Sequence, residues 1–314
     1  MIRILANDGI EAAAKADLIK GGYEVQDVKI SQDELASRIN EFDVLTVRSA
    51  TKVRKPLIDV MSQTKLVIRG GVGLDNIDVD YAQSKGISVR NTPLASSQSV
   101  AELVFAHLFG LVRYLPQSHR EMPLHGEQEF KILKERFSKG SELKGKTLGF
   151  IGFGNIGQTT AKIALGCGMN VLAYDLYPRE WVLELIFMNG IKTSVPVSPS
   201  TKEDIISQSD FITVHSAGSS QVISEKEFAM MKDGVGIINC ARGGAIKESE
   251  LIDALNSGKV AYAGIDVYEE EPTKNIALLQ HERVSLTPHI GASTREAQER
   301  IGKEVVDIIM NFKF

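Results

Sequence analysis

Three apolar runs in this chain end in groups that can hold an anion or move a proton. VGIIN leads into CARGG and presents Arg242 beside Gly243 and Gly244. YAGI leads to Asp266 and then to Glu269, Glu270 and Glu271, the last placed before Pro272. VSLTP delivers His289. A guanidinium meets a carboxylate through a two-pronged fork, and the paired glycines read as space cleared for that encounter. Histidine as a residue type titrates at about pH 6.5, so it suits the exchange of a hydroxyl proton at neutral pH. A carboxylate beside it orients the ring and stabilises the imidazolium, and Glu271 is the choice for that role. Arg242 then polarises a developing ketone. The chemistry these groups suit is oxidation of a hydroxy acid, the proton passing to His289 while a hydride leaves the same carbon. Taken singly, each has a plainer reading: a capped strand-end histidine, a solvated acidic turn, an anchoring arginine. The catalytic reading rests on their convergence on one sheet edge, because ligands of an open parallel sheet sit outside the carboxyl ends of its strands.

A departing hydride needs an acceptor, and LGFIGFGNIG provides for one. Gly152, Gly154 and Gly157 match GxGxxG after a strand and at the start of a helix. The next strand, VLAYD, ends in Asp175, 175 − 157 = 18 residues beyond the last glycine. That separation places a carboxylate beside an adenosine ribose. Gly152 permits the turn, Gly154 lets the backbone approach a pyrophosphate, and Gly157 lets helix and strand pack closely. Asp175 would repel a 2′-phosphate, so the expected cofactor is NAD rather than NADP, with Arg179 as the one nearby cation that argues the other way. His215, ending FITVH, is the rival base and is read as packing beside the cofactor. His107, His119, His125 and His281 have no partner nameable from sequence. Cys167 and Cys240 form neither a disulfide framework nor a CxxC metal site, so no metal is expected, and Cys240 reads as a small buried filler.

A second anion site is read near the N-terminus. Arg48 ends VLTVR, and Arg69 ends LVIRG before Gly70 and Gly71. Two guanidiniums at neighbouring strand ends, with bare glycine amides beside one, can bind a phosphate. The plainer reading is that both arginines solvate strand ends.

The elements that must position these groups alternate almost throughout. IRILA, YEVQDV, VLTVR, LVIRG and ISVRN are expected strands separated by helix-length segments. NTPLASSQ breaks the pattern, making Pro93 to Gln98 a candidate hinge. An apolar helix from about Ser99 to Leu115 is expected to be buried, between domains or in an oligomer interface. A charge-mixed stretch leads to a second series, TLGFI, VLAYD, FITVH, VGIINC, YAGIDV and VSLTP. The last helix opens at GAST, where Ser293 and Glu296 have capping-box spacing. It follows His289 directly, so it is expected to return to the first unit and make the second an insertion. The fold class is α/β with two doubly wound parallel sheets, the boundaries being 1–95 with 289–314 for one domain and 96–288 for the other. No fixed-period repeat or low-complexity tract interrupts this pattern.

The 314 residues are 43% hydrophobic and 24% charged with a net charge of −4, and the pI is near 5.9. A nucleic-acid footprint usually needs a basic excess, so no nucleic-acid partner is expected. No apolar run approaches the roughly 20 residues of a membrane span. The start reads as strand then helix rather than as a signal peptide, and a reducing cytoplasm is the expected setting.

GFGNIG, NCARGG, AGIDVYEEEP and TPHIGAST, with VRSATKV and RGGVGLDNIDVDYAQSKGISVRNTP before them, occur in an order and spacing that resembles the D-isomer-specific 2-hydroxyacid dehydrogenases, most of all their D-3-phosphoglycerate dehydrogenase branch. The resemblance runs nearly end to end. It implies a flavodoxin-like substrate domain built from both chain ends, a Rossmann-type NAD domain inserted in it, domain closure, and a homodimer through the nucleotide domain. It supports Arg242, Glu271 and His289 as catalytic. The expected cofactor contacts are Gly152, Gly154, Asn155, Ile156, Gly157, Asp175, His215, Ala241 and Asp266, and the expected substrate contacts are Arg48, Ser49, Arg69, Gly70 and Gly71. The implied reaction is oxidation of 3-phospho-D-glycerate to 3-phosphohydroxypyruvate, the first committed step toward serine.

The chain departs from the family after FITVH. Family members commonly show His-x-Pro and a longer loop, whereas this chain reads HSAGSSQVIS with Gly218 in that stretch, which bears on nucleotide affinity. It ends at Phe314 without the regulatory domains of longer phosphoglycerate dehydrogenases, so serine feedback through them is not expected. The alternatives are a reductase of hydroxypyruvate or glyoxylate, a D-lactate enzyme, and a co-repressor-like NAD(H)-sensing binding protein. Arg48 and Arg69 discriminate among the enzymes, because glyoxylate has no phosphate to satisfy them. The absence of long disordered tails and of an evident peptide groove argues against the binding protein.

Overall fold

Short strands that are apolar on both faces and joined by helices pair in parallel, with helices covering both sides. The computed structural model, which describes residues 1–218 and 220–314, follows that rule in two sheets. Two compact units result, Met1–Ser97 with Ala292–Phe314, and Gln98–Gly291. The second crossing falls after Gly291 rather than before His289, which places His289 in the second unit and corrects the expected boundary. The cause is local, because the backbone N–H groups of Ile290 and Gly291 are bound by Asp266 of that unit.

In the first unit, β1 (Arg3–Ala6), β2 (Glu24–Gln26), β3 (Val44–Val47), β4 (Leu66–Arg69) and β5 (Ser88–Asn91) pair in the order β2-β1-β3-β4-β5. All four pairings are parallel, in the flavodoxin-like order. The two-residue side-chain period sends Leu5, Leu45 and Val67 to one core and Ile4, Val44 and Leu66 to the other. The helix Arg295–Met310 covers the second of these with Ile301, Val305 and Ile309, spaced four residues apart on one stripe. Its N-cap is Thr294, whose hydroxyl accepts from Ala297 N–H at 3.1 Å, so the expected Ser293–Glu296 box is one residue out of register.

In the second unit, the series continues with β6 (Thr147–Ile151), β7 (Asn170–Tyr174), β8 (Trp181–Ile186), β9 (Lys192–Val197), β10 (Phe211–Val214), β11 (Val235–Asn239), β12 (Val260–Ile265) and β13 (Val284–Leu286). Six of these form a parallel sheet in the order β13-β12-β11-β10-β6-β7. Strands β8 and β9 form a separate antiparallel hairpin that the sequence analysis does not anticipate. Asn189-Gly190 sits in its turn, with Gly190 at φ 84°, and Trp181 packs edge-on to Phe153 at 4.9 Å. The apolar helix runs Ser97–Val112, earlier than expected. It is buried within the second unit, where Val104 and Leu111 join one cluster and Phe105 and Leu108 another. Tyr114, at φ 54°, breaks it, and two further helices follow, Leu115–His125 and Phe130–Arg136. Among the described residues no single helix is long and apolar enough to cross a membrane.

Candidate active site

Strand β6 ends at Ile151, and the chain turns at Gly152 with φ 94°, a conformation that disfavours a side chain. A Cβ there would also strike the backbone of His215. Gly157 packs against the Gly152 carbonyl, so the helix Asn155–Gly166 starts hard against the strand end. Gly154, at the helix N-cap, opens onto free space within 4 Å of where its side chain would begin. Asn155 is exposed and Ile156 half-buried on the first turn. The carboxylate of Asp175 accepts from Phe153 N–H at 2.7 Å and from Tyr177 N–H at 3.0 Å, which fixes it beside the turn.

These residues fit a dinucleotide. The helix N-terminus suits a pyrophosphate, and two buried polar atoms just past the neighbouring strand β10, His215 Nδ1 and Ser216 Oγ, have no hydrogen-bond partner among the described residues. The other ring nitrogen of His215 lies 3.0 Å from Thr213 Oγ1, and the ring stacks on Phe150. Burial pushes its pKa down to about 3, so the ring is neutral at working pH. The loop that follows includes Ser219, which lies outside the described residues.

The strand ends of β11, β12 and β13 lie on the same edge as the glycine turn, since all six strands run in parallel. His289 follows β13 and takes φ 53°, a left-handed conformation unusual for a residue with a side chain. Its Nδ1 lies 2.8 Å from Glu271 Oε2 and 3.0 Å from Oε1. A carboxylate only accepts, so Nδ1 carries the proton and Nε2 is the atom left to exchange one. A cavity of about 400 Å³ opens on the pair, lined by Tyr268, Pro272 and Leu279 among others.

Asp266 was expected to meet the cofactor. It is 1% exposed, and its carboxylate accepts from Thr287 Oγ1 at 2.6 Å, Ile290 N–H at 2.8 Å and Gly291 N–H at 2.9 Å. It holds the Thr287 side chain before His289 and the two backbone amides after it.

Arg242 is half-buried, with Nη1 donating to the Ala241 carbonyl at 2.7 Å. Asn239 clamps this turn, accepting from Ala241 N–H at 3.1 Å and donating to Arg242 O at 2.9 Å. The expected reason for the glycines needs correction at Gly243. A Cβ there would run into the Tyr268–Glu269 backbone rather than into a ligand's space. Gly243 therefore docks the arginine loop onto the loop that carries Glu271. A reciprocal bond secures the docking: Glu248 N–H donates to Glu269 Oε1 at 3.1 Å, and Glu269 N–H donates to Glu248 Oε1 at 2.9 Å. The acidic run is thus divided in its uses, with Glu269 structural, Glu271 on His289, and Glu270 70% exposed.

Within the first unit, Arg48 and Arg69 end the paired strands β3 and β4. Gly71 has φ 144°, and the Arg69 guanidinium lies against it where a side chain would otherwise stand. Gly70 approaches the Arg48 stem, and Ser49 is exposed. Arg48 and Gly70 line a cavity of about 300 Å³ together with Asp8, Thr46 and Gln298. Sequence reasoning missed Glu248, Tyr268, Thr287 and His107. Tyr268 donates its hydroxyl to Thr287 O at 2.9 Å, while His107 meets Ser285 Oγ at 2.9 Å and Thr287 Oγ1 at 3.1 Å. For Thr287 and Ser285 the strand period was the available signal, because residues 285 and 287 face one side.

The family model for the NAD-binding domain of D-isomer specific 2-hydroxyacid dehydrogenases matches residues 105–291. A hydroxypyruvate reductase of Thermotoga maritima is 44% identical over 98% of this chain and 97% of its own length. A D-3-phosphoglycerate dehydrogenase of Methanocaldococcus jannaschii is 40% identical over 98% of this chain, which spans 57% of that protein. Among solved structures, a D-lactate dehydrogenase from Aquifex aeolicus, complexed with NAD and lactic acid, superposes with a TM-score of 0.76 at 27% identity, covering 98% of this chain and 94% of that one.

Proposed function

Because the chain belongs to the D-isomer specific 2-hydroxyacid dehydrogenases and carries their NAD-binding domain, we propose that it interconverts a three-carbon D-2-hydroxy acid and its 2-oxo acid, with 3-phospho-D-glycerate and 3-phosphohydroxypyruvate as the pair. The observation that carries the reaction is the Glu271–His289 contact at 2.8 Å. With Nδ1–H held by Glu271, His289 Nε2 takes the hydroxyl proton in oxidation and returns it in reduction. Glu271 offsets the charge that the ring then gains. Arg242 holds the substrate carboxylate and stabilises charge building on the C2 oxygen. NAD supplies the hydride exchange at C2, and the glycine turn, the helix Asn155–Gly166 and Asp175 are the residues to hold it.

The phosphate half of the reading is supported by Arg48 and Arg69 at paired strand ends with Gly70 and Gly71 beside them. A second reading, reduction of hydroxypyruvate itself, is supported by the likeness to the Thermotoga maritima reductase over nearly its full length. The leading reading places the reaction at the start of serine synthesis in the cytoplasm, in a homodimer formed through the second unit. Support for the dimer is the apolar exposure of Leu124, Phe130 and Ile132 on that unit, 72%, 56% and 62%.

The test is NADH formation across 3-phospho-D-glycerate, D-glycerate and D-lactate, run beside NADH consumption on hydroxypyruvate, with wild type and Arg69→Ala. The proposal expects 3-phospho-D-glycerate to lead the panel. It also expects the variant to raise KM for that substrate about ten- to hundredfold, the loss from removing a charged hydrogen-bond partner, and to leave hydroxypyruvate nearly unaffected. Equal effects on both substrates, or a lead for D-glycerate, select the second reading.

A further inference from the structure

A buried chain of hydrogen bonds runs from another element to the segment that carries His289. His107 lies on the helix Ser97–Val112 and is 3% exposed. Strand β12 gives it room, since a Cβ at Gly264 would fall 2.7 Å from the His107 Cβ. Ser285 and Thr287 face it together, two residues apart along β13 and its extension. The direction of every bond follows from its last member. The Asp266 carboxylate only accepts, so the Thr287 hydroxyl donates to it, at 2.6 Å. Thr287 Oγ1 then has only lone pairs to offer, so His107 Nε2–H donates to it at 3.1 Å. In the neutral ring, Nδ1 accepts from the Ser285 hydroxyl at 2.9 Å. Burial lowers the His107 pKa, opposed in smaller part by the Asp266 charge, in keeping with that neutral form.

We propose that His107 is a positioning residue for the proton-transferring histidine: as the Nε2–H tautomer it holds Thr287, Thr287 holds Asp266, and Asp266 fixes the backbone on which His289 stands. This rests on the reading of His289 given above. Asp266 binds the two amides that follow His289, and His289 itself sits at φ 53°. A residue with a side chain keeps such a conformation only when its surroundings over-determine it. Tyr268 grips the same segment from its own loop, through Thr287 O. An apolar residue at 107 would fill the helix face equally well, but it would leave the Thr287 hydroxyl without its imidazole donor, the Thr287–Asp266 bond less firmly held and the imidazole of His289 free to swing.

The test compares His107→Leu, His107→Gln, Thr287→Val and the His107→Leu/Thr287→Val pair with wild type. His107→Leu lowers kcat roughly tenfold, the scale of one lost hydrogen bond, and speeds amide exchange at Ile290 and Gly291 by a similar factor. KM for NADH stays within about twofold, because uniform binding is not what has been removed. Glutamine, which can donate toward Thr287 and accept from Ser285, recovers most of the kcat. Thr287→Val reproduces the loss, and the pair loses no more than either single variant. Wild-type kcat and exchange in His107→Leu overturn the proposal, as does a loss that glutamine fails to recover or that adds in the pair. Should the leucine variant not fold, Thr287→Val against Thr287→Ser decides: serine keeps the hydroxyl and the rate, and a valine variant at wild-type rate overturns the proposal. A wild-type protein inactive on every 2-oxo acid defeats the functional reading instead, and the amide-exchange arm still reports on His107.

Discussion

Three histidines of the second unit occupy three environments, and these sort their roles. His215 is held neutral by burial, its pKa pushed down to about 3, and its Nε2 is engaged by Thr213. It therefore has no proton to cycle near neutrality, although it ends a strand on the same sheet edge. His107 is buried and bonded at both nitrogens. His289 alone of the three combines 47% side-chain exposure with a carboxylate on its far nitrogen. His289→Ala should then reduce kcat by about two to four orders of magnitude, the usual worth of a general acid–base group. NADH binding, followed by fluorescence titration, should change little. Turnover comparable to wild type in that variant would dismiss His289 as the proton carrier. Sequence placed His289 and Glu271 correctly as neighbours because residue type and strand-end position were both visible. It could not place His107, whose partners Ser285 and Thr287 lie 178 and 180 residues away along the chain. It could not foresee the contacts of Asp266 for the same reason: strand-end position says that a carboxylate reaches the edge, and only tertiary packing says that amides of the next loop bind it.

At the scale of elements, the arginine loop and the acidic loop behave as one piece. Gly243 removes the side chain that would separate them, and the reciprocal amide-to-carboxylate bonds of Glu248 and Glu269 close the contact at the start of the helix Glu248–Asn256. Asn275 Nδ2 donates to the second Glu248 oxygen at 2.7 Å, so this buried acid is satisfied on both sides. A Gly243→Ala variant must push the loops apart, because the obstacle is backbone rather than a side chain able to turn away. Overpacking of this kind costs about 1–3 kcal/mol. Activity should fall further than stability accounts for, because the displacement moves Arg242 relative to Glu271. The check is kcat against the urea midpoint, with NADH affinity, set at the glycine turn, as the internal control. Wild-type kcat in the alanine variant would show that the two loops need not be in register. The hairpin of β8 and β9 shows a different limit of sequence reading. Part of its signal was present, since Asn189-Gly190 follows a run of alternating burial, Trp181 to Ile186. The expectation of a helix-and-strand alternation overrode it, even though an NG turn between alternating runs is a strong local hairpin mark.

Across the whole molecule, each unit has its own hydrophobic clusters. Among the described residues, the buried members of the second unit's three clusters run from Val100 to Val284, with Leu286 packed against one of them. One of the two in the first unit joins both chain ends, setting Ile4, Leu18 and Val44 against Ile301, Val305, Val306 and Ile309. The insertion was legible because Pro93 to Gln98 interrupts the alternation and a helix follows His289 with no strand after it. Its edge was misplaced by the few residues whose amides Asp266 binds. The clusters predict different outcomes for two truncations. The excised segment Gln98–Gly291 keeps every apolar group of its cores, so it should fold cooperatively and bind NADH within about tenfold of the full chain, a difference near 1.4 kcal/mol. It lacks Arg48 and Arg69, so it should not turn over a phosphorylated acid. A chain stopped after Gly291 loses four buried aliphatic side chains from the first unit's core, each worth about 1.5–3 kcal/mol. Together they rival the net stability of a whole domain, about 5–15 kcal/mol. Its melting curve should show the second unit's transition alone, with the first unit open to proteolysis. A single cooperative melt in the stopped chain, or failure of the excised segment to fold, would mean that the stability of each unit does not reside in its own clusters.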